Sequence, residues 1–490
     1  MTVAVARGPA AGLRLIVGHA AMYGAARAAV SGFDLMLTPL YARQLSPDDL
    51  GLIAVAISLQ AVIGILYTMG LDGALFRLFY TPGTSESDRQ RVIGATVVGT
   101  TCTAVVVATS LAVLGPAVSD ELLAGMDVRV FRLLVWGSVL NMYPLLLLQL
   151  LQMRQQSGRY LLVATGYTAL RVATTGIALV MLGRGVAGWA EALALTAAGG
   201  AAFAAVYVWR DIRFGGFAPI LRDAVGYAVP QLGHQLSRWV AVAASRPILA
   251  AMLPLSQIGV YQVALTIGQA LGLLTTALSL AYGPAFMEAA RQSEADTAVR
   301  YGRLASVSAA IVIVLAGLGS MWREVAVTIV AGSNYLIAAP LVPILMLDAV
   351  IQSLYLTLAA PIFLRKESAK RLPIRTALSG VVNLAAITTL VPLVGVYGAA
   401  WAMVLANVAL VMTVFPLSQQ SLRMRYDYGV VGQSAAVTLA VLMASMVLTE
   451  VLNTTLAHTG TAVLSIALGI WAVRMATNGS LFAPPAASQS

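Results

Sequence analysis

Eight ionisable side chains lie inside stretches otherwise too apolar to hold them. His19, Arg27 and Asp34 share one stretch; His234, Arg238 and Arg246 share another; Arg171 and Asp348 occur singly. A charge at the centre of a bilayer costs roughly 2.5–3.5 kcal/mol on insertion scales, so each of these residues carries a functional hypothesis by default. On a helix, Arg27 and Asp34 stand about two turns apart on one face. His234 and Arg238 are one turn apart, and Arg246 follows close to the same stripe. Arg27 with Asp34 fits two readings, a local ion pair that makes its helix insertable or a cation aimed at a ligand. Arg171 reads first as a structural hydrogen-bond donor. Arg238 and Arg246 have no acid near them in sequence, so their counter-charge comes from another helix or from a ligand. Guanidinium stays ionised, is weakly hydrated, and pairs bidentately with phosphate oxygens. An anionic, phosphate-bearing ligand suits this set best and a lipophilic cation suits it worst.

Helices within a membrane must position these groups. Of 490 residues, 59% are hydrophobic and only 10% charged, and the mean hydropathy is +0.85. A soluble domain is about a quarter charged, so water-soluble domains and disorder are excluded. Cys102 is the single cysteine, and His19, His234 and His458 show no ligand spacing. Neither a disulfide framework nor a metal site is expected, and no cofactor is. With a window of about 20 apolar residues, the chain reads as an all-α polytopic membrane protein of fourteen spans, at 14–40, 49–70, 90–114, 131–152, 160–183, 186–209, 226–252, 256–286, 302–322, 336–364, 372–394, 396–417, 429–449 and 459–477. Segments of ten residues alternating in polarity, the mark of a transmembrane barrel, are missing.

Basic residues orient the spans. With the N-terminus in the cytoplasm, twenty-one Lys and Arg fall on inner loops and five (Arg43, Arg129, Arg132, Arg184 and Arg323) on outer ones. That asymmetry predicts cytoplasmic N- and C-termini. It also makes the net charge of +10 a topology signal with added attraction to anionic membrane lipid, not a nucleic-acid footprint. Glu191 reads as interfacial, and Asp72 and Arg77 as residues of a solvated cytoplasmic loop. The tail 479–490, with Pro484 and Pro485, reads as disordered. No outer loop is long enough to hide a catalytic domain.

A repeat runs through the chain. At a shift of 208 residues, Leu45, Gly51, Val55, Ala56, Gly64 and Leu66 fall on Leu253, Gly259, Val263, Ala264, Gly272 and Leu274; at 210, Gly185-Val186-x-Gly188 falls on Gly395-Val396-x-Gly398. Two pseudo-symmetric six-helix lobes are therefore expected, an N-lobe over 14–209 and a C-lobe over 226–417. A linker at 210–225 joins them, and two further helices cover 429–477. Such repeats are common in transporters, where one lobe rocks against the other around a central cleft.

Several blocks resemble the polysaccharide transporter, or O-antigen flippase, family of the superfamily that also holds multidrug extruders and the lipid II flippase. They are Leu45-Ser-Pro-Asp-Asp-Leu-Gly-Leu52, Gly70-Leu-Asp-Gly-Ala74, Gly226-Tyr-Ala-Val-Pro230, Ser245-Arg-Pro-Ile-Leu249, Ile258-Gly-Val-Tyr261 and Gly395-Val-Tyr-Gly-Ala-Ala400. The resemblance implies a bacterial cytoplasmic-membrane flippase. Its substrate is a polyprenyl-diphosphate-linked oligosaccharide, moved from inner to outer leaflet by alternating access for cell-surface polysaccharide such as lipopolysaccharide. It also implies diphosphate binding at Arg27 and Arg246, while Arg238 rests on the charge argument alone. Asp34, Asp348 and His234 are expected to couple transport to protons or sodium, or to tune the cavity. Where many members carry an acid beside the arginine of the seventh helix, this chain has Ser245. The protein is expected to be a monomer, to make no covalent bond, and to work beside other polysaccharide-assembly membrane proteins. The alternatives are a multidrug exporter of the same superfamily and a membrane polymerase or ligase; the short outer loops and missing nucleophile or DxD motif weigh against the last.

Overall fold

The computed structural model describes residues 37–81, 85–115, 125–209, 212–213, 215–242, 245–451 and 459–469. In hydrocarbon no water can bond to peptide N–H and C=O groups, so a spanning segment must satisfy them within itself. The described chain is accordingly helical, and no strand occurs among the described residues. The helices are α1 Pro47–Thr68, α2 Leu71–Phe79, α3 Glu86–Leu114, α4 Val128–Met153, α5 Ser157–Gly176 (continued by a π turn, Ile177–Met181), α6 Gly185–Val208, α7 Phe217–Val242 and α8 Ser245–Ala250. They continue with α9 Leu255–Gln292, α10 Glu294–Met321, α11 Arg323–Ala331, α12 Val342–Ala359, α13 Lys366–Val394, α14 Val396–Ser421, α15 Tyr428–Val451 and the short α16 Thr459–Gly469.

Eleven described helices are long and apolar enough to cross a membrane, and they correspond to eleven of the fourteen expected spans. The first expected span lies mostly outside the described residues, as do part of the last and the tail 479–490. The seventh is present as α7, which carries Arg222, Asp223 and Arg238 and is not among the eleven. α7 begins at Phe217, inside the stretch expected as a linker, because Arg222 and Asp223 do not stop a helix where its end meets water. Large apolar side chains cover the outside, for example Val206 at 82% exposure and Leu393 at 76%, a surface suited to lipid. This is an integral membrane protein.

Helix starts follow local chemistry. Ser46 and Asp49 form a capping box on α1, with Asp49 N donating to Ser46 Oγ at 3.2 Å and Ser46 N to Asp49 Oδ2 at 3.3 Å; Pro47 opens the helix, where its missing N–H costs nothing. Ser85 and Asp88 repeat the device on α3.

The chain forms two compact units, residues 1–262 and 263–490, divided within α9. In the first, Leu75, Phe79, Ile93, Leu147 and Leu151 build a core among α2, α3 and α4. In the second, Ile362, Leu410, Val414 and Leu417 do so around α14.

Within the first unit, the start of α1 meets the start of α9 backbone to backbone. A Cβ on Gly51 would lie 2.8 Å from the carbonyl carbon of Leu255 and 3.1 Å from Gly259 N. Reciprocally, one on Gly259 would lie 2.9 Å from the carbonyl carbon of Pro47 and 3.1 Å from Gly51 N. Pro47 and Leu255, like Gly51 and Gly259, are 208 residues apart. A contact in which each partner meets the other's equivalent is what a local twofold produces, so the repeat's matched glycines are matched for a steric reason. The second block behaves alike: Gly185 and Gly395 have φ of 57° and 60°, a conformation that strains other residues, at the turn into α6 and α14.

Gly51→Val and Gly259→Val should each lower stability by about 1–3 kcal/mol through overpacking. Gly166→Ala, whose Cβ meets nothing within 4 Å, should not lower it. Melting temperatures of the detergent-purified protein, followed by tryptophan fluorescence, check the contrast.

Candidate functional site

Of the residues expected to form a site, His19, Arg27 and Asp34 lie outside the described residues. His234 and Arg238 are placed on α7, but the structure describes only their backbone. Arg246 is described in full. It is the second residue of α8, behind buried Ser245, and it is half-buried. Its Nε donates to Gln262 Oε1 of α9 at 3.1 Å. Among the described residues it makes no ion pair. A guanidinium held through Nε by a neutral amide is oriented without being neutralised.

Asp348, in the second unit, is buried on α12 at 6% exposure and accepts a hydrogen bond from Asn407 Nδ2 of α14 at 2.7 Å. Its partner is again an amide. Glu191, expected at an interface, bridges Arg129 at 2.9 Å and Arg184 at 2.7 Å, tying the start of α4 to the turn before α6.

The structure also forms a polar cavity that the search for charges missed. It measures about 500 Å³ and lies among α1, α2, α3, α4 and α7 in the first unit. Gln60 and Thr68 contribute from α1, Asp72 from α2, Thr96 and Thr100 from α3, Ser138, Asn141 and Gln149 from α4, and Gln235 from α7. Among the described residues, Asp72 is its only charged lining residue. Two left-handed residues, Met69 at φ 45° and Gly70 at φ 81°, end α1 and turn the chain into α2. That turn folds Asp72 back against the bundle, so it is not the solvated loop residue expected. A Cβ on Gly70 would lie 3.1 Å from the carbonyl carbon of Ala228, and this close approach brings α7 alongside.

Amide groups then knit the walls. Gln149 Nε2 donates to the Asp72 carbonyl at 2.8 Å, and Gln235 Nε2 reaches the Asp72 carboxylate at 3.3 and 3.4 Å. Tyr167 donates to Asn141 Oδ1 at 2.5 Å, and Trp239 Nε1 fastens α7 to α1 through Ser58 O at 3.0 Å. A readable signal existed: Ser138, Asn141 and Gln149 share one face of α4 at helical spacing, and Thr96 and Thr100 do so on α3.

The family model for "Polysaccharide biosynthesis protein" matches residues 19–290, more than half of the chain and all of the first unit's described helices. The chain belongs to this family. Among curated proteins no sequence match is found. Among solved structures, this family member is similar to one titled lipid II flippase MurJ, inward closed conformation, with a TM-score of 0.74 at 10% identity, covering 92% of this chain and 97% of that one. An inward-facing multidrug resistance MATE family transporter of the MOP superfamily superposes with a TM-score of 0.56 at 15% identity, covering 79% and 93%. Its outward-facing counterpart gives 0.52 at 14%, covering 82% and 95%. At these identities the likeness is one of fold.

Asn407→Leu should destabilise the protein by about 1–3 kcal/mol, since it leaves the buried Asp348 carboxylate without its donor. Asp348→Leu combined with Asn407→Leu should recover part of that loss. A double-mutant cycle of melting temperatures measures the coupling.

Proposed function

We propose that the protein is a flippase for a polyprenyl-diphosphate-linked oligosaccharide, working in the bacterial cytoplasmic membrane with both termini in the cytoplasm. The family's tie to polysaccharide biosynthesis and a fold like that of a lipid II flippase support this reading. The single observation that carries it is Arg246, a half-buried guanidinium held by Gln262 and unpaired with any acid among the described residues. Such a group is oriented for an anion. Arg27 and Arg238 join it at the diphosphate. The oligosaccharide rides in a water-filled cleft while the polyprenyl tail stays in lipid. Alternating access then exposes the head group to the other leaflet, and no covalent bond is made or broken. The voltage helps: with the cytoplasm negative, outward movement of an anion gains about 2.3 kcal/mol per charge per 100 mV. Asp34, Asp348 and His234 either couple the cycle to protons or sodium or tune the arginines. The flippase acts as a monomer beside other polysaccharide-assembly proteins.

A second reading, a multidrug exporter, draws on the likeness to MATE transporters. The two differ in the charge of the ligand. A ligand that binds only the folded state raises the melting temperature, by about 2.7 kcal/mol of added stability at a hundredfold excess over Kd. A short-chain polyprenyl diphosphate should stabilise the wild type, Arg246→Lys should keep part of the shift, and Arg246→Ala should lose it. Stabilisation by a lipophilic cationic dye alone would overturn the flippase reading in favour of the exporter.

A further inference from the structure

The cavity among α1, α2, α3, α4 and α7 has its own chemistry, and the arginine site does not use it. Polar side chains at membrane depth are costly and mark ligand paths. Here they are amides and hydroxyls: Gln60, Asn141, Gln149 and Gln235 carry amides, Thr68, Thr96, Thr100 and Ser138 carry hydroxyls, and Asp72 is the one carboxylate among the described residues. Among the described residues, no Lys or Arg and no aromatic ring lines the space. A phosphate would meet Asp72 with no cation among those residues to offset it. A lipophilic cation would lack the aromatic walls that favour it.

Amides both donate and accept, which is also the habit of a sugar hydroxyl. Ile57, Ile65 and Leu145, which line the same space, suit the C–H face of a pyranose ring. The volume of about 500 Å³ falls within the usual range of small-ligand sites. One donor is still unsatisfied: Gln60 Nε2 is buried without a hydrogen-bond partner. Gly64 opens the space further, since a Cβ there would meet nothing within 4 Å.

We infer that this cavity is the sugar subsite of the transported head group, selective for an uncharged sugar over a uronic acid. The inference rests on the flippase reading and adds to it the charge class of the sugar. Gln60, Asn141 and Gln149 hydrogen-bond the ring hydroxyls, and Asp72 accepts from a hydroxyl while repelling a carboxylate at the same place.

The test uses three synthetic short-chain polyprenyl diphosphates, bearing no sugar, one glucose, or one glucuronic acid, the sugars differing only at C6. Their Kd values are measured by isothermal titration calorimetry with the full chain in detergent. The glucosyl lipid should bind about tenfold or more tightly than the sugar-free lipid, as a hydrogen-bonding site discriminates for its polar partner. The glucuronosyl lipid should show no such gain. Gly64→Leu, which fills the space, and Gln60→Leu/Asn141→Leu, which strips the amides, should bring the glucosyl to sugar-free ratio near one, with folding checked from each variant's own melt. Asp72→Asn should let the glucuronosyl lipid gain as the glucosyl lipid does. Equal binding of glucosyl and sugar-free lipids by the wild type, or a gain that survives in both cavity variants, overturns the subsite and leaves the flippase reading standing. A wild type that binds none of the three overturns the flippase reading as well.

Discussion

The structure depends on one constraint, that hydrocarbon offers no hydrogen bonds. It makes the described chain helical and places its boundaries at devices that satisfy orphaned groups, such as the Ser46–Asp49 and Ser85–Asp88 boxes. The same constraint governs side chains. Burying a polar group costs least where another group answers it, and amides give several of those answers here. Gln262 answers Arg246, Asn407 answers Asp348, and Gln235 and Gln149 answer Asp72.

That preference has a functional sense. A carboxylate partner would neutralise Arg246, and an arginine partner would neutralise Asp348. An amide fixes the geometry of either charge and leaves its sign in place. A protein that must attract an anion at one point and hold a neutral, hydroxyl-rich group at another can do so with few charges, provided each charge is framed by neutral donors and acceptors. The overall charged content of 10% fits such an economy.

Much of this was legible in the sequence. Apolar runs of spanning length identify eleven helices, because lipid imposes length and composition together, while polar helix starts such as Glu294 and Lys366 lie several residues before the apolar runs begin. Of the glycines matched at 208 and 210 residues, Gly51 and Gly259 meet across a close backbone crossing, a contact that the spacing alone does not give. The start of α7 was misjudged because hydropathy marks where lipid ends and not where helix ends. Asp72 was misread because a left-handed pair, Met69 and Gly70, reverses the chain there, and the sequence carries only the glycine as a hint. The amide cavity stayed hidden for a different reason. Neutral polar residues scattered over four helices raise no alarm singly, and only the fold brings Gln60, Asn141 and Gln235 to one cavity beside Asp72. Arg246 was legible as a charge, but its partner Gln262 was not, since an amide sixteen residues on is not a spacing that points back.

The reciprocal meeting of Gly51 with Leu255 and of Gly259 with Pro47 carries an evolutionary consequence. Each glycine is confined by main chain belonging to the other copy of the repeat. Main chain cannot be swapped for something smaller, so no compensating substitution in one copy can release the other. If the repeat descends from a duplication, the ancestor would at this crossing have been held by its own twin. Paralogues that share the repeat should keep both glycines or lose both together with the close crossing itself.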